Sequence, residues 1–524
     1  MQQTKKNILL LIAFFLFFTP SFATSYRIQN ALYFSTGITR AAALQRVVPI
    51  DTKRIFPSYE ALDAYITDIV QQLENLRLLD NIYSQYTCVD EKDGVCLVDL
   101  SITVNDSKHL LGLPKFSYNS NTGSELKLKL KDTNFLGLLN TFNLDFNGKL
   151  EQESEQDNPD VSLGINFDYD WPFTLLNLQH SWNNDFSFSW ILGDDLPEFS
   201  LNTGFTTDIP VGQHTCELNF KQSVIRNKDY STYGDALYAV ENASISMPLT
   251  IGKINNSIKV LYTPSFSYTY NWDADSISLS NEDLASPLIA VGQKLSTSRI
   301  NWKNNFRDGF LLNGTESLGW NFETQCFIPT VALTAEGYKA YKYAGLCSRL
   351  YIMGMLNSNE KIGDSLRGIR DNQYYADGSY YALKVPAAIV FSVDCPIHII
   401  TTNWLGWGKS LFGTYDLFPQ PAKFLFWLPH KLFKYLDFEL QLSPFVDAAL
   451  TRNRNDDSTF SVKDGFYDAG FEFLVYPLKW KSYVIRGSIG FDIGRLLLSD
   501  YLDTSWRDTA ISCYEIYFGL GLQY

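Results

Sequence analysis

The sequence is short of the features that usually announce a chemistry. His is scarce, at His109, His180, His214, His398 and His430, and no two of these have metal-ligand spacing. There is no Gly-x-Ser-x-Gly elbow and no phosphate-cradling glycine loop, so no catalytic site, metal or other cofactor is expected. A hydrolase is conceivable, but nothing marks its site. Positive charge is also short: 43 Lys+Arg face 57 Asp+Glu, a formal net charge of −14. That balance excludes a nucleic-acid binder, which needs clustered cations to neutralise phosphates. Long apolar runs are missing as well. Beyond residue 24 no stretch reaches the roughly 18 residues of a transmembrane helix.

Aromatic residues are plentiful instead. With 31 Tyr, 37 Phe and 11 Trp they make up 15% of the chain. Such a bias suits β-structure or contact with lipid. With 45% hydrophobic residues, wholesale disorder is excluded.

At the amino terminus, Lys5 and Lys6 precede the apolar run Ile8 to Phe18, followed by Ser21-Phe22-Ala23. This is the pattern of a signal peptide, 1–23, and of export. An uncleaved membrane helix is the weaker reading, because the run is about half the length needed to span. The mature chain is then either soluble and exported or a transmembrane β-barrel.

Residues 24–114 have mixed character. A strand is expected around Tyr26–Phe34 and a short helix over Thr39–Val48. A longer helix is expected over Glu60–Leu79, with Leu62, Tyr65, Ile66, Ile69, Leu73 and Leu76 at helical spacing and Ser58 as its cap. Two strands follow, Ile82–Val89 and Val95–Val104, around the turn Asp90–Gly94. Cys88 and Cys96 flank that turn, so a cross-hairpin disulfide and a pair of free thiols are both open.

From 115 to 524 the helical period gives way to alternation. Leu126, Leu128 and Leu130 alternate with Lys127, Lys129 and Lys131, and Phe142, Leu144 and Phe146 with Asn143, Asp145 and Asn147. A soluble sandwich also alternates. Here the polar face carries charged and small residues, as a wet lumen would, and the pattern persists for about 410 residues, too long for one ordinary sandwich. At roughly 25 residues per strand and connection, about 16 antiparallel strands closed into a transmembrane β-barrel are expected. The fold class expected is mostly β, a barrel preceded by one small α/β domain. Asp170-Trp171-Pro172 reads as a short turn.

Several motifs stand in a suggestive order. They are Asp132-Thr-Asn-Phe-Leu-Gly137, Leu366-Arg367-Gly368-Ile369, Phe445-Val446-Asp447 and the terminal Tyr524. Together with the mixed amino-terminal segment, they make the chain resemble the BamA/TamA-type outer-membrane proteins, the bacterial surface antigen family. There a periplasmic POTRA module precedes a barrel. The resemblance covers nearly the whole mature chain, though Ala449 stands where Gly is usual and Ile369 where an aromatic is.

The resemblance implies a position in the outer membrane of a diderm bacterium, with the amino-terminal domain in the periplasm. It implies a role in protein insertion or translocation. Partners would be membrane lipid, unfolded outer-membrane or secreted clients, and periplasmic accessory proteins. It also implies that Arg367, with Gly368, is carried on a loop into the barrel and pinned there. Parity places Asp447, Asp468 and Glu472 on the lumenal face, where a guanidinium fork could be held. On residue chemistry alone, a solvated loop arginine is the simpler reading. The seam would lie where the first strand (Phe116, Tyr118) meets the last (Phe518, Leu520, Leu522, Tyr524). A dedicated secretion pore and a passive diffusion channel are the alternatives. Residues 398–437, rich in Trp and Phe with Lys nearby, read as an interfacial anchor, or else as a plug or a cap packed on the POTRA-like module.

Overall fold

The computed structural model describes all residues except 1–24, 93, 120–122, 152–159, 194–195, 227–236, 255–257, 273–284, 370–371, 375–379, 383, 405, 408–436, 453–459, 503–512, 521 and 523–524. The expected signal segment, Arg370, Tyr524 and most of the aromatic insert therefore lie outside the described residues. So do the side chains of Phe116, Tyr118 and Leu520.

Two compact units divide between Asp106 and Ser107. The expected boundary, after residue 114, is corrected by eight residues, because a strand of the larger unit already begins at Leu110. Pro114 lies inside that strand, and proline is tolerated on a sheet edge.

The small unit runs β1 (Ser25–Ser35), α1 (Ala41–Val47), β2 (Ile55–Phe56), α2 (Tyr59–Asn75), β3 (Leu79–Lys92) and β4 (Val95–Asp106). Its sheet has the order β2-β1-β4-β3, with β1 and β4 parallel. Helix α2 forms because Leu62, Ile66, Ile69 and Leu73 make one buried stripe, and Ser58 caps it by accepting from the Ala61 amide at 3.3 Å. The Asp106 carboxylate accepts from the Ile38 and Thr39 amides at 2.7 and 3.1 Å, tying the end of β4 to the β1–α1 turn. Cys88 and Cys96 are joined as a disulfide.

The large unit is one antiparallel sheet closed into a barrel. Among the described residues twenty strands form its wall. Leu237–Ser246 and Leu249–Ile254 are two parts of one stave, as are Ala387–Asp394 and Ile397–Thr401, leaving eighteen staves. About sixteen, give or take two, are expected from length, and the very short connections, such as 176–177, 212–213 and 304–305, leave room for the upper end of that range. The expected Asp170–Pro172 turn is corrected. Strand Asp160–Leu175 continues through it and turns at Leu176-Asn177, both with positive φ. Past Tyr169 this strand pairs, among the described residues, only with Leu178–Ile191, so Pro172 lies where only one ladder runs and its missing N–H costs little.

The wall is inverted relative to a soluble sheet. Outward residues are large and apolar: Leu126 is 59% exposed, Leu128 55% and Phe205 48%. Inward residues are buried and often polar, as in Glu439, Gln441, Ser443 and Asp447 along the strand Phe438–Thr451. No helix among the described residues is long and apolar enough to cross a membrane. The end of the barrel at which Leu110 enters the wall is its near end, and the opposite rim its far end.

Candidate functional site

Among the described residues, an inbound loop and the seam depart most from a plain hairpin wall. The loop joins Gly345–Met355 to Ala387–Asp394 and enters from the far end. It is held by an apolar contact and an ionic one. Ile362, Leu366 and Ile369 of the loop pack on Met353, Ala388, Val390, Ala449 and Phe466 of the wall. Tyr351 and Arg349 of the wall add hydrogen bonds to Glu360 at 3.2 Å and Ser365 at 3.5 Å.

Arg367 stands beyond this apolar patch and is 5% exposed. Its Nε and Nη2 donate to the two Asp447 carboxylate oxygens at 2.9 and 2.6 Å, a bidentate fork. The Arg367 amide donates to Asp447 at 3.3 Å. Nη1 bonds to Asp394 and lies 3.3 Å from Glu472. The guanidinium also stacks 3.8 Å over the Phe445 ring. Glu472 is shared with Arg486 at 3.5 Å, and Arg486 in turn lies 4.2 Å over Tyr517 of the last strand. A chain of charge and ring contacts thus leads from the loop to the seam.

Glycine allows the close approach. The Arg367 carbonyl and Gly368 Cα lie against Gly490, where a side chain would collide with the loop backbone. A Cβ on Gly368 would come within 2.8 Å of the Asp468 side chain.

Of the residues read from sequence, Arg367, Gly368, Asp447 and Glu472 are together. Asp468 is fully buried opposite Asp447 on the neighbouring strand and packs beneath Gly368. The sequence alone does not single out Asp394, Arg486 and Phe445 as partners. Asp394 shares the inward, buried face of its strand with Ala388, Val390 and Ser392, so strand parity was the available signal. Among the described residues no group of His, Cys, Asp and Glu is arranged to hold a metal ion.

The seam closes the barrel with little backbone pairing. Among the described residues Tyr514–Leu520 pairs with Leu110–Asn119 only at Tyr517 opposite Asn119 and Phe518 opposite Tyr118. On its other side the same strand pairs continuously from Tyr514 to Leu520. Phe518 faces outward. Leu522, expected at the seam and two residues on from Leu520 in the same alternation, packs inside the lumen on Leu474, Tyr476 and Val484 beside Trp302. The outward alternation stops because the strand ends at Leu520.

At the near end the turn around Asn304-Asn305, both at positive φ, folds in toward the lumen. Asn305 Nδ2 donates to Glu439 at 2.8 Å and Trp302 packs edge-on to Tyr476, residues of strands well round the wall. Of the aromatic insert, 398–401 belong to a strand. Trp404 and Trp407 then pack on each other, with Trp404 also against Phe438.

In the small unit a groove of about 530 Å³ runs between α2 and β3, lined by Tyr26, Tyr59, Leu62 and Tyr86. β3 is an edge strand. The Tyr86 and Tyr59 hydroxyls are 2.8 Å apart, and Tyr86 also donates to Asp63 at 2.8 Å. This network, together with desolvation, holds the Tyr86 phenol well above its usual range, with desolvation the larger cause.

Among the solved structures to which the chain is similar are two CdiB barrels and one BamA barrel. CdiB from Acinetobacter baumannii is 12% identical, with 95% of this chain and 74% of that chain covered and a TM-score of 0.44. BamA from Haemophilus ducreyi lacking POTRA domains 1-3 is 11% identical, with 94% and 84% covered and a TM-score of 0.40. CdiB from Escherichia coli is 9% identical, with 96% and 91% covered and a TM-score of 0.38. No family model and no curated protein matches the sequence.

Proposed function

We propose that the chain is an outer-membrane barrel that inserts or translocates proteins, with no enzymatic chemistry of its own. Its clients are unfolded outer-membrane or secreted proteins. The small unit would act as a periplasmic POTRA-like module, taking an extended client segment along the open edge of β3 beside the aromatic groove. The barrel would handle the client at the seam.

The observation that carries this reading is the seam itself. A closed barrel otherwise pairs every strand, since unpaired backbone groups are costly in hydrocarbon. Here eight residues of the first strand, Leu110 to Ser117, pair on one side only among the described residues. The apolar exterior with a polar, buried interior supports the membrane location.

The pinned loop and the 304–305 turn reach into the lumen from opposite ends, which disfavours a passive channel. A secretion pore for one partner remains the alternative within the same mechanism. Depletion separates the three. Broad loss of outer-membrane barrels supports an assembly factor, and loss of a single secreted protein supports a secretion pore. Altered solute permeability alone would sink both in favour of a channel.

A further inference from the structure

The near end of the seam is held by side chains rather than by a backbone ladder. There the last strand has ended at Leu520, and Leu522 packs on the lumenal cluster. The connection 478–484, which joins Phe466–Pro477 to Ile485–Asp492, reaches past the last strand to the first hairpin. Tyr483 is 5% exposed, and its hydroxyl proton is shared between the carbonyls of Lys131 at 3.2 Å and His109 at 3.4 Å. Trp480 Nε1 donates to the Leu110 carbonyl at 3.4 Å. The Lys131 ammonium lies 5.8 Å from the Tyr483 ring centre. One connection on the closing side thus grips both strands of the opening hairpin.

We infer that Tyr483 and Trp480 form a latch across the seam and are positioning residues for the first strand. The acceptors are the main-chain carbonyls of His109, Leu110 and Lys131, so the latch reads the position of the strand and not its side-chain identity. Val484, next to Tyr483, packs in the same cluster as Leu522. The latch and the inward end of the chain therefore share one packing unit, and moving either disturbs the other. The consequence for client handling rests on the proposed role of the seam; the mechanical role does not.

Amide exchange in the full-length protein in bilayers tests this. Tyr483→Phe removes the hydroxyl and keeps the ring. Exchange over 110–117 should quicken roughly fivefold, the worth of one ordinary hydrogen bond, with the hairpin Leu178–Val211 unchanged. Trp480→Phe should act in the same direction, and it carries the test alone if Tyr483→Phe does not fold by heat-modifiable gel mobility. Tyr338→Phe removes another wall hydroxyl, one that bonds Glu336 and Arg307, and should leave 110–117 unchanged. Unaltered exchange over 110–117 in the latch variants overturns the inference, as does acceleration spread evenly round the barrel. Loosened 110–117 with normal client assembly keeps the latch and removes the seam from the proposed function.

Discussion

Around Arg367 the inner wall buries Asp394, Asp447, Asp468 and Glu472, an excess of acid over base even counting Arg486. Removing a buried cation leaves its carboxylates uncompensated, which typically costs about 3–5 kcal/mol. Arg367→Ala should therefore lower the temperature at which the folded gel band converts to the unfolded one. Arg367→Lys should recover only part of the loss, because an ammonium cannot form the two-pronged contact to Asp447. Arg370→Ala should matter less. A wild-type transition and full complementation by Arg367→Ala would dismiss the pin. Gly490→Val makes the same point from the other side. It leaves every charge in place but fills the space of the Arg367 carbonyl, so it should release the loop as Arg367→Ala does. Protease cleavage within 356–386 reads that release directly.

At the scale of elements, the inbound loop is half apolar and half ionic, and the two halves can be broken separately. Leu366→Ala removes a fully buried side chain from the packed patch, for which about 2–5 kcal/mol is usual. It should raise loop proteolysis with the Arg367–Asp447 fork chemically intact. In the small unit, the Cys88–Cys96 disulfide closes a short loop, and an entropic cost of about 2–3 kcal/mol is expected on its loss. Limited proteolysis of Cys88→Ser should show earlier cutting within 79–106 than in the parent. Deleting 404–430 should weaken barrel insertion if Trp404 and Trp407 help seat the near rim at the lipid headgroups. Unchanged insertion and stability would leave the insert without that role.

At the scale of the whole molecule, the prediction concerns the seam. Tyr118→Cys with Phe518→Cys, in a background whose free cysteines are serine, should form a disulfide across the paired residues. If clients pass there, the oxidised double variant should stop client assembly and the reduced one restore it. Full activity while cross-linked would remove the seam from the mechanism.

How much of this was legible depends on the range of the interactions. Alternation in segments such as 125–131 and 142–147 was enough for strands with one apolar and one polar face, because side-chain direction has a period of two. The stripe Leu62, Ile66, Ile69, Leu73 and the cap Ser58 were equally local. Asp447 could be put on the inner face by parity alone. The sequence did not show that Arg367 reaches Asp394 as well as Asp447, that Leu522 turns inward, or that Tyr483 touches His109. Those contacts join residues up to several hundred positions apart. They exist only once the ring has closed and brought the last staves beside the first. Local chemistry therefore determined the strands and which face of each is wet. Only tertiary structure decided the number of staves, the depth of the loop and the shape of the seam, because these follow from closure, which no single segment encodes.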